Sequence, residues 1–314
     1  MTSISLIIAT HSRPHLLPKA VASAIRAGTG IEVIVVDDAS SDETSAVCKS
    51  MSGIRYIRLD NNLGVAGARN IGISESRGEY VTFLDDDDVR LPGSLDNQIR
   101  AFGEIPGAGF VYGPVMIADS DCNPTGKVDP IRCPTGDVFW QILKWNFVHC
   151  MSGLIRKSCL AEVGMFNPEL PGLDWDLWVR LAERFPVGAV QEPVGIYRSP
   201  NPLSDQDSAR PARILMTAAG TYRSWLNLPR AVAASRDQRD QARKSFLDRA
   251  SDALIFGASD ALELGAGRIV RENVLAALQL NPTRAFRPLS VKLLVQAFFK
   301  QTATASSVDM TASS

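Results

Sequence analysis

Residues 78–88 read Gly78-Glu79-Tyr80-Val81-Thr82-Phe83-Leu84-Asp85-Asp86-Asp87-Asp88. A short apolar run rich in aromatic and β-branched residues, bounded by glycine and by acids, is a buried strand rather than a helix. Four carboxylates in a row repel one another, and nothing basic lies within two residues on their N-terminal side. In isolation such a run is a solvated acidic turn. At the carboxyl end of a strand it occupies the edge where open α/β sheets bind their ligands. A hard divalent cation needs only one or two protein carboxylates beside phosphate oxygens and water. The position therefore points to a metal–diphosphate site.

Working outward, short apolar runs alternate with amphipathic stretches, the pattern of a parallel sheet flanked by helices. Ile4 to Thr10 and Glu32 to Val36 are strands, the second ending in Asp37-Asp38. Between them His15 to Ala27 carries its apolar residues on one helical face and stops at Gly28. Ser40-Ser41-Asp42-Glu43 fits a capping box for the next helix. Ile54 to Leu59 is a third strand, a helix follows from Val65 to Ser76, and Leu91-Pro92 opens another. Residues 108–205 are mixed: Phe110 to Ala118 and Phe147 to Arg156 are strand-like, Asp137 to Asn146 is a short helix and Asp174 to Phe185 a stronger one. From 206 onward only Ala/Arg/Leu-rich helical sequence remains, broken near Pro211, Pro229, Pro282 and Pro288. The expected division is a domain over 1–205, with a nucleotide-binding half (1–107) and an acceptor half (108–205). A helical extension (206–301) and a disordered tail (302–314) complete it.

With 45% hydrophobic and 21% charged residues, the 314-residue chain has ample core, which excludes disordered, collagen-like and disulfide-scaffold classes. Residues 1–205 carry net charge −7 and residues 206–314 net +6. No basic stripe with interleaved aromatics marks the body, so nucleic acid is not an expected partner. Five cysteines form no Cys-x-x-Cys pair and no basic leader precedes Ile4, so reduced thiols and a cytoplasmic location are expected. The apolar stretch Val291 to Phe299 is too short to span a membrane. Arg268 to Lys300 holds six Lys/Arg against Glu272 alone. That segment either packs against the body or a second subunit, or lies on an anionic membrane surface beside a lipid-linked acceptor.

The chain resembles the family-2 glycosyltransferases with the GT-A fold. Leu6 through Pro14, Val35 through Ser40, Asn62 through Gly72, Gly78 through Asp88 and Leu173 through Leu181 carry the resemblance. These stretches keep the family's order and spacing over about 200 residues. The resemblance implies a GT-A α/β fold with a mostly parallel sheet. It makes Asp85-Asp86-Asp87 the Asp-x-Asp motif, with Asp87 on a Mn²⁺ or Mg²⁺ ion that bridges the donor's phosphates. Asp85 and Asp86 then contact ribose or metal-bound water, Asp85 also being a candidate metal ligand. Thr10 and Asp38, with Asp37 secondary, match positions holding base and ribose, and His11 is placed to stack on the base. Asp174 matches the general base, and Arg198 the segment over the diphosphate. The implied reaction is inverting transfer from a nucleoside-diphosphate sugar to an acceptor hydroxyl, in polysaccharide or glycolipid synthesis. A cation offsets charge on the leaving diphosphate and one carboxylate takes the acceptor's proton.

Each assignment has a structural rival. Asp174 precedes an apolar helical face and is either base, N-cap or both. Asp38 either holds ribose or completes a turn with Ser40. Arg69 either binds phosphate or pairs with an acid such as Asp38. Gly64, Gly67 and Gly72 do not make a dinucleotide fingerprint. Trp140, Trp145, Trp175 and Trp178 fit a core better than a sugar platform, and Asp176 fits either the surface or a place supporting the site from behind. The family's usual Tyr-Asn, acid-before-base and Tyr-Arg-x-His patterns are here His11-Ser12, Leu173 and Tyr197-Arg198-Ser199-Pro200. His149 is either a strand histidine or a stand-in for the missing one. These departures motivate an alternative reading as a non-catalytic sugar-nucleotide-binding scaffold or sensor.

Overall fold

Continuous apolar runs buried on both faces build the centre of the molecule. A computed structural model describes residues 3–170, 172, 174–199, 211–286, 288–293 and 296. Eleven strands occur among them: β1 (Ile4–Thr10), β2 (Ile31–Asp37), β3 (Ile54–Arg58), β4 (Tyr80–Asp85), β5 (Val89–Arg90), β6 (Phe110–Tyr112), β7 (Val115–Ala118), β8 (Pro124–Asp129), β9 (Leu154–Arg156), β10 (Val187–Ala189) and β11 (Gly195–Arg198). Seven form one sheet in the order β10-β6-β9-β4-β1-β2-β3, and β5-β11-β7-β8 form a second. In the larger sheet β1 lies parallel to β2 and β4, and β3 parallel to β2; only β9 runs antiparallel, between β4 and β6. The fold is thus the expected mixed α/β arrangement with a mostly parallel sheet.

The parallel register brings the polar strand ends to one level. Thr10 faces Asp37 on β2, and Ala9 faces Asp85 on β4. Leu6, Ile7 and Ile8 of β1, Val33 to Val36 of β2 and Val81, Phe83 and Leu84 of β4 are buried almost completely. Helices Leu17–Ile25, Gly64–Glu75 and Ser94–Glu104 flank them. Gly72 lets the second of these helices lie on β1, because a Cβ there would come 2.4 Å from Ile7 Cγ2.

Four local expectations need correction. Phe110 to Ala118 is two strands in two sheets, because Gly113-Pro114 interrupts the ladder and proline donates no hydrogen bond. In Phe147 to Arg156 only the last three residues pair; Cys150–Ser152 is a turn of 3-10 helix. The capping box does not form: the helix starts at Thr44, and Asp42, not Ser40, accepts from the Thr44 backbone N–H at 3.0 Å. Asp176 is mostly buried and ion-paired with Arg180 at 2.8 Å, which removes the surface alternative for it and leaves the supporting one.

The chain divides into two compact units, one from residues 1–142 and 146–199 and the other from 143–145 and the residues after 199. The described part of the second is helical, with helices Pro211–Trp225, Pro229–Val232, Arg236–Glu263, Gly267–Leu280 and Pro282–Ala285. Tyr222 stacks on Phe246 at 4.8 Å between centroids, and Arg284 pairs with Asp252 at 2.6 Å. Val270, Val274 and Ala277 are buried, so part of the basic segment packs inward. The boundary at 205, Leu173, Pro200 and the tail 302–314 lie outside the described residues. Among the described residues no helix is long and apolar enough to cross a membrane.

Candidate active site

The sheet's carboxyl edge gathers the acids, and their donors come from neighbouring strands. Asp37, at the end of β2, is completely buried yet well served. Its Oδ1 accepts from Ser40 N (2.9 Å), and its Oδ2 from the Tyr56 hydroxyl (2.7 Å) and Arg58 Nη1 (3.1 Å). Burial pushes its pKa up, but these bonds and the Arg58 charge hold it below the usual carboxylate value. Asp38 accepts from the Leu63 N–H at 2.7 Å, so the turn contact with Ser40 belongs to Asp37. His11 lies beside them with Nδ1 2.7 Å from the Asp38 carbonyl oxygen. A carbonyl only accepts, so that nitrogen carries the proton. Thr10, Asp37, Asp38 and His11 thus form one end of the site. Ser12 and Ala39 adopt left-handed backbone there, at φ 54° and 58°.

The four acids after Leu84 diverge. Asp85 pairs with Arg69, a buried guanidinium lying over the Phe166 and Phe83 rings at 5.4 and 6.0 Å. Arg69 therefore pairs with an acid, but with Asp85 rather than Asp38. Burial opposes its charge, and the fields of Cys150, Asp85 and Asp174 more than restore it. Asp86 turns inward, accepting from the Thr10 hydroxyl at 2.7 Å and Arg13 Nη1 at 2.9 Å. Burial still raises its pKa. The Asp87 carboxylate is met at longer range, by Arg13 Nη1 at 3.4 Å and Arg198 Nη1 at 3.8 Å. Burial and the charges of Asp85 and Asp86 push it up to about 6. Asp88 faces elsewhere: its Oδ1 accepts from the Arg198 backbone N–H at 2.8 Å, which ties β11 to the acidic turn. Its buried Oδ2 has no partner among the described residues.

Asp174 joins this group from the start of the helix Trp175–Arg184. It occupies the N-cap position, but its side chain makes no cap hydrogen bond. Its Oδ2 accepts instead from Trp178 Nε1 at 3.2 Å. Burial raises its pKa against the opposing charge of Arg69. Trp178 is held under Gly153, where a Cβ would lie 2.5 Å from the ring, and Trp175 donates to the Ile142 carbonyl at 2.8 Å. Trp175 and Trp178 are core residues that aim the acid, and Trp140 is half-buried.

The sequence reading missed the roles of Arg13, Arg58, Tyr56 and the half-buried thiol of Cys150, and it placed Trp178 in the core without its bond to Asp174. Burial pushes that thiol up, with Arg69 opposing and Asp174, Asp85 and Asp88 adding to the rise. Only Arg13 had a visible signal, since it follows β1 directly.

A mostly parallel α/β sheet with acids at its carboxyl edge is an open sheet with a ligand-binding rim, and a solved structure shares the fold. The chain is similar to S. aureus TarS residues 1–349 in complex with UDP-GlcNAc, with a TM-score of 0.64, 17% identity and coverage of 96% of this chain and 89% of that one. Residues 5–161 match glycosyl transferase family 2, and the chain belongs to that family. It is 31% identical over 192 residues to the GalNAc(5)-diNAcBac-PP-undecaprenol beta-1,3-glucosyltransferase of Campylobacter jejuni, covering 58% of this chain and 60% of that protein. It is 28% identical over 187 residues to the UDP-Glc:alpha-D-GlcNAc-diphosphoundecaprenol beta-1,3-glucosyltransferase WfaP of Escherichia coli, covering 59% and 72%. The chain spans 27–32% of the length of three Rickettsia glycosyltransferases it also matches.

Proposed function

We propose that this protein transfers a hexose from a uridine-diphosphate sugar to a hydroxyl of a lipid-linked saccharide ending in an N-acetylhexosamine, with inversion at the sugar's anomeric carbon. The observation that carries the reading is the pairing of two unlike half-buried carboxylate sites on one rim. Asp87 sits in a negative field beside two arginines, and Asp174 is fixed by Trp178 near Arg69. The names of the glucosyltransferase relatives support the donor and acceptor classes. Residues 1–205 would form the transferase domain and 206–301 a helical extension, working on the cytoplasmic side.

The donor set fits a divalent ion, which Asp87 and Asp85 would hold. Asp87 lacks a short partner, Asp85 has a second oxygen that Arg69 does not take, and such ions need few protein ligands. Among the described residues no group of three or more metal-ligating side chains exists, so phosphate oxygens would complete the shell. The bound ion would supply charge stabilisation for the departing diphosphate. Arg13 and Arg198 add positive charge on the same side. Thr10, His11 and Asp38 would hold the nucleoside, and Asp37, whose oxygens are taken by Ser40 N–H, the Tyr56 hydroxyl and Arg58, would brace that end rather than touch the ligand. Asp174, with its pKa raised toward working pH, accepts the proton of the attacking hydroxyl. A single displacement needs no covalent nucleophile.

Thermal melting with UDP, UDP-glucose or UDP-GlcNAc, with and without Mn²⁺, tests the reading. At hundredfold excess over Kd the expected rise is on the order of 5–10 °C, and it depends on Mn²⁺. Asp87→Asn abolishes that dependence. Asp174→Asn keeps the rise but lowers kcat about 10²–10⁴-fold. The absence of any shift with every nucleotide removes the reading; a shift without transfer by the unmodified protein favours a sugar-nucleotide-binding scaffold.

A further inference from the structure

His149 belongs to none of the carboxylate sites, yet it is built into the same rim. Its Nε2 lies 2.7 Å from Oδ2 of Asp129, the last residue of β8. Its ring packs on Tyr197 of β11 at 5.0 Å between centroids and 48° between planes. The backbone beyond it is fixed as well: the Met151 carbonyl accepts from buried Arg90 Nη1 at 2.6 Å, and the His149 carbonyl accepts from Ser152 N at 2.8 Å. The imidazole lies within electrostatic reach of Asp174, and the adjacent Cys150 lies in the fields of Asp174, Asp85 and Asp88. Two separate elements, β8 and β11, thus clamp the ring in one orientation.

The tautomer follows from the partner. A carboxylate only accepts, so Nε2 carries the proton and donates it to Asp129. In the neutral ring Nδ1 is then a bare acceptor, and no hydrogen bond among the described residues uses it. An imidazole oriented by a carboxylate, with its second nitrogen open, is prepared to receive a donor.

We propose that His149, oriented by Asp129, positions the acceptor: Nδ1 accepts a hydrogen bond from a ring hydroxyl of the terminal N-acetylhexosamine while Asp174 serves the attacking hydroxyl. The inference rests on the transferase reading above and adds an acceptor contact to it. A surface pair that merely pins the loop would leave acceptor kinetics unchanged.

Two isosteres separate these roles. In His149→Gln the amide replaces Nε2 and keeps the Asp129 contact but offers nothing at Nδ1. In His149→Asn an amide oxygen falls near the Nδ1 position while the Asp129 contact is lost. With UDP-glucose as donor and octyl glycosides of GlcNAc and GalNAc as acceptors, His149→Gln raises the acceptor KM about tenfold, the worth of one hydrogen bond. The KM for UDP-glucose stays within twofold, and His149→Asn recovers most of the acceptor affinity. An unchanged acceptor KM in His149→Gln, or an asparagine variant no better than the glutamine one, overturns the proposal. So does an unmodified protein that is stabilised by UDP-glucose yet glycosylates neither octyl glycoside. If UDP-glucose does not stabilise the protein at all, the transferase reading itself has failed.

Discussion

The ends of β2 and β4 flank the same strand at the same height, and both carry aspartates, yet their electrostatics are opposite. Asp37 is buried among three donors, Ser40 N–H, the Tyr56 hydroxyl and Arg58, and stays ionised below the usual carboxylate range. Asp87, on the other side of β1, is half-buried among other acids with two arginines at 3.4 and 3.8 Å, and is pushed up to about 6. Burial is common to both, so the number and closeness of donors decides the sign. A satisfied carboxylate holds structure together. A poorly satisfied one favours any cation that arrives.

That contrast predicts opposite stability effects. Asp37→Ala strands the Ser40 N–H and the Tyr56 hydroxyl and costs about 2–4 kcal/mol of unfolding free energy. Asp87→Asn removes one charge from a repelling cluster, so the metal-free, nucleotide-free protein melts at the same temperature or higher. Urea unfolding of both variants in EDTA checks the pair. Comparable losses in the two would erase the distinction.

How much of this was legible in the sequence differs along the chain. β1, β2 and β4 are buried on both faces and read as unbroken apolar runs, so their ends, and the acids on them, could be located. β8 is exposed along its whole length and carries no hydrophobic signal, so Asp129 and its bond to His149 were invisible. The division of Phe110 to Ala118 between two sheets turns on Gly113-Pro114, which reads equally well as a bulge. The partners of Arg13, Arg58 and Arg69 follow from register between strands far apart in sequence. Asp88 was read with its three neighbours as one cluster. Only the register of β11 against β5 and β7 shows that it serves the Arg198 backbone instead.

A smaller effect sharpens the comparison from outside the acids. Gly153→Ala places a Cβ 2.5 Å from the Trp178 ring as it now sits, so the ring and the Nε1 bond to Asp174 must shift. Misplacing a base by about 1 Å costs on the order of 10²-fold in rate. We expect kcat to fall about 10- to 100-fold, with nucleotide-induced thermal stabilisation unchanged because the β2 end is untouched. An unchanged kcat in Gly153→Ala would remove the steric link to Asp174, and a loss of nucleotide binding would contradict the separation of the two ends.

The smallest effect is a pair of slopes against pH, measured on the metal-free protein. Asp37 has a folded pKa below its unfolded value, so its contribution to stability is complete above the unfolded value and is lost as pH falls through the folded one. Asp87 has a folded pKa of about 6, above its unfolded value. Between roughly pH 4 and 6 the folded state therefore binds more protons at this site than the unfolded state, and stability rises as pH falls through that window. The two acids thus pull in opposite directions in successive pH ranges: a gain on acidification toward pH 4 from Asp87, then a loss below it from Asp37. Asp87→Asn makes the first slope shallower, because an amide does not titrate in either state while Asp86 and Asp174 still bind protons more tightly in the folded protein, and it leaves the second slope. Unfolding free energies from pH 7 to 3 for the two proteins read both slopes directly. A variant with the same rise between pH 6 and 4 as the unmodified chain would mean that donors around Asp87, not acids, govern its proton.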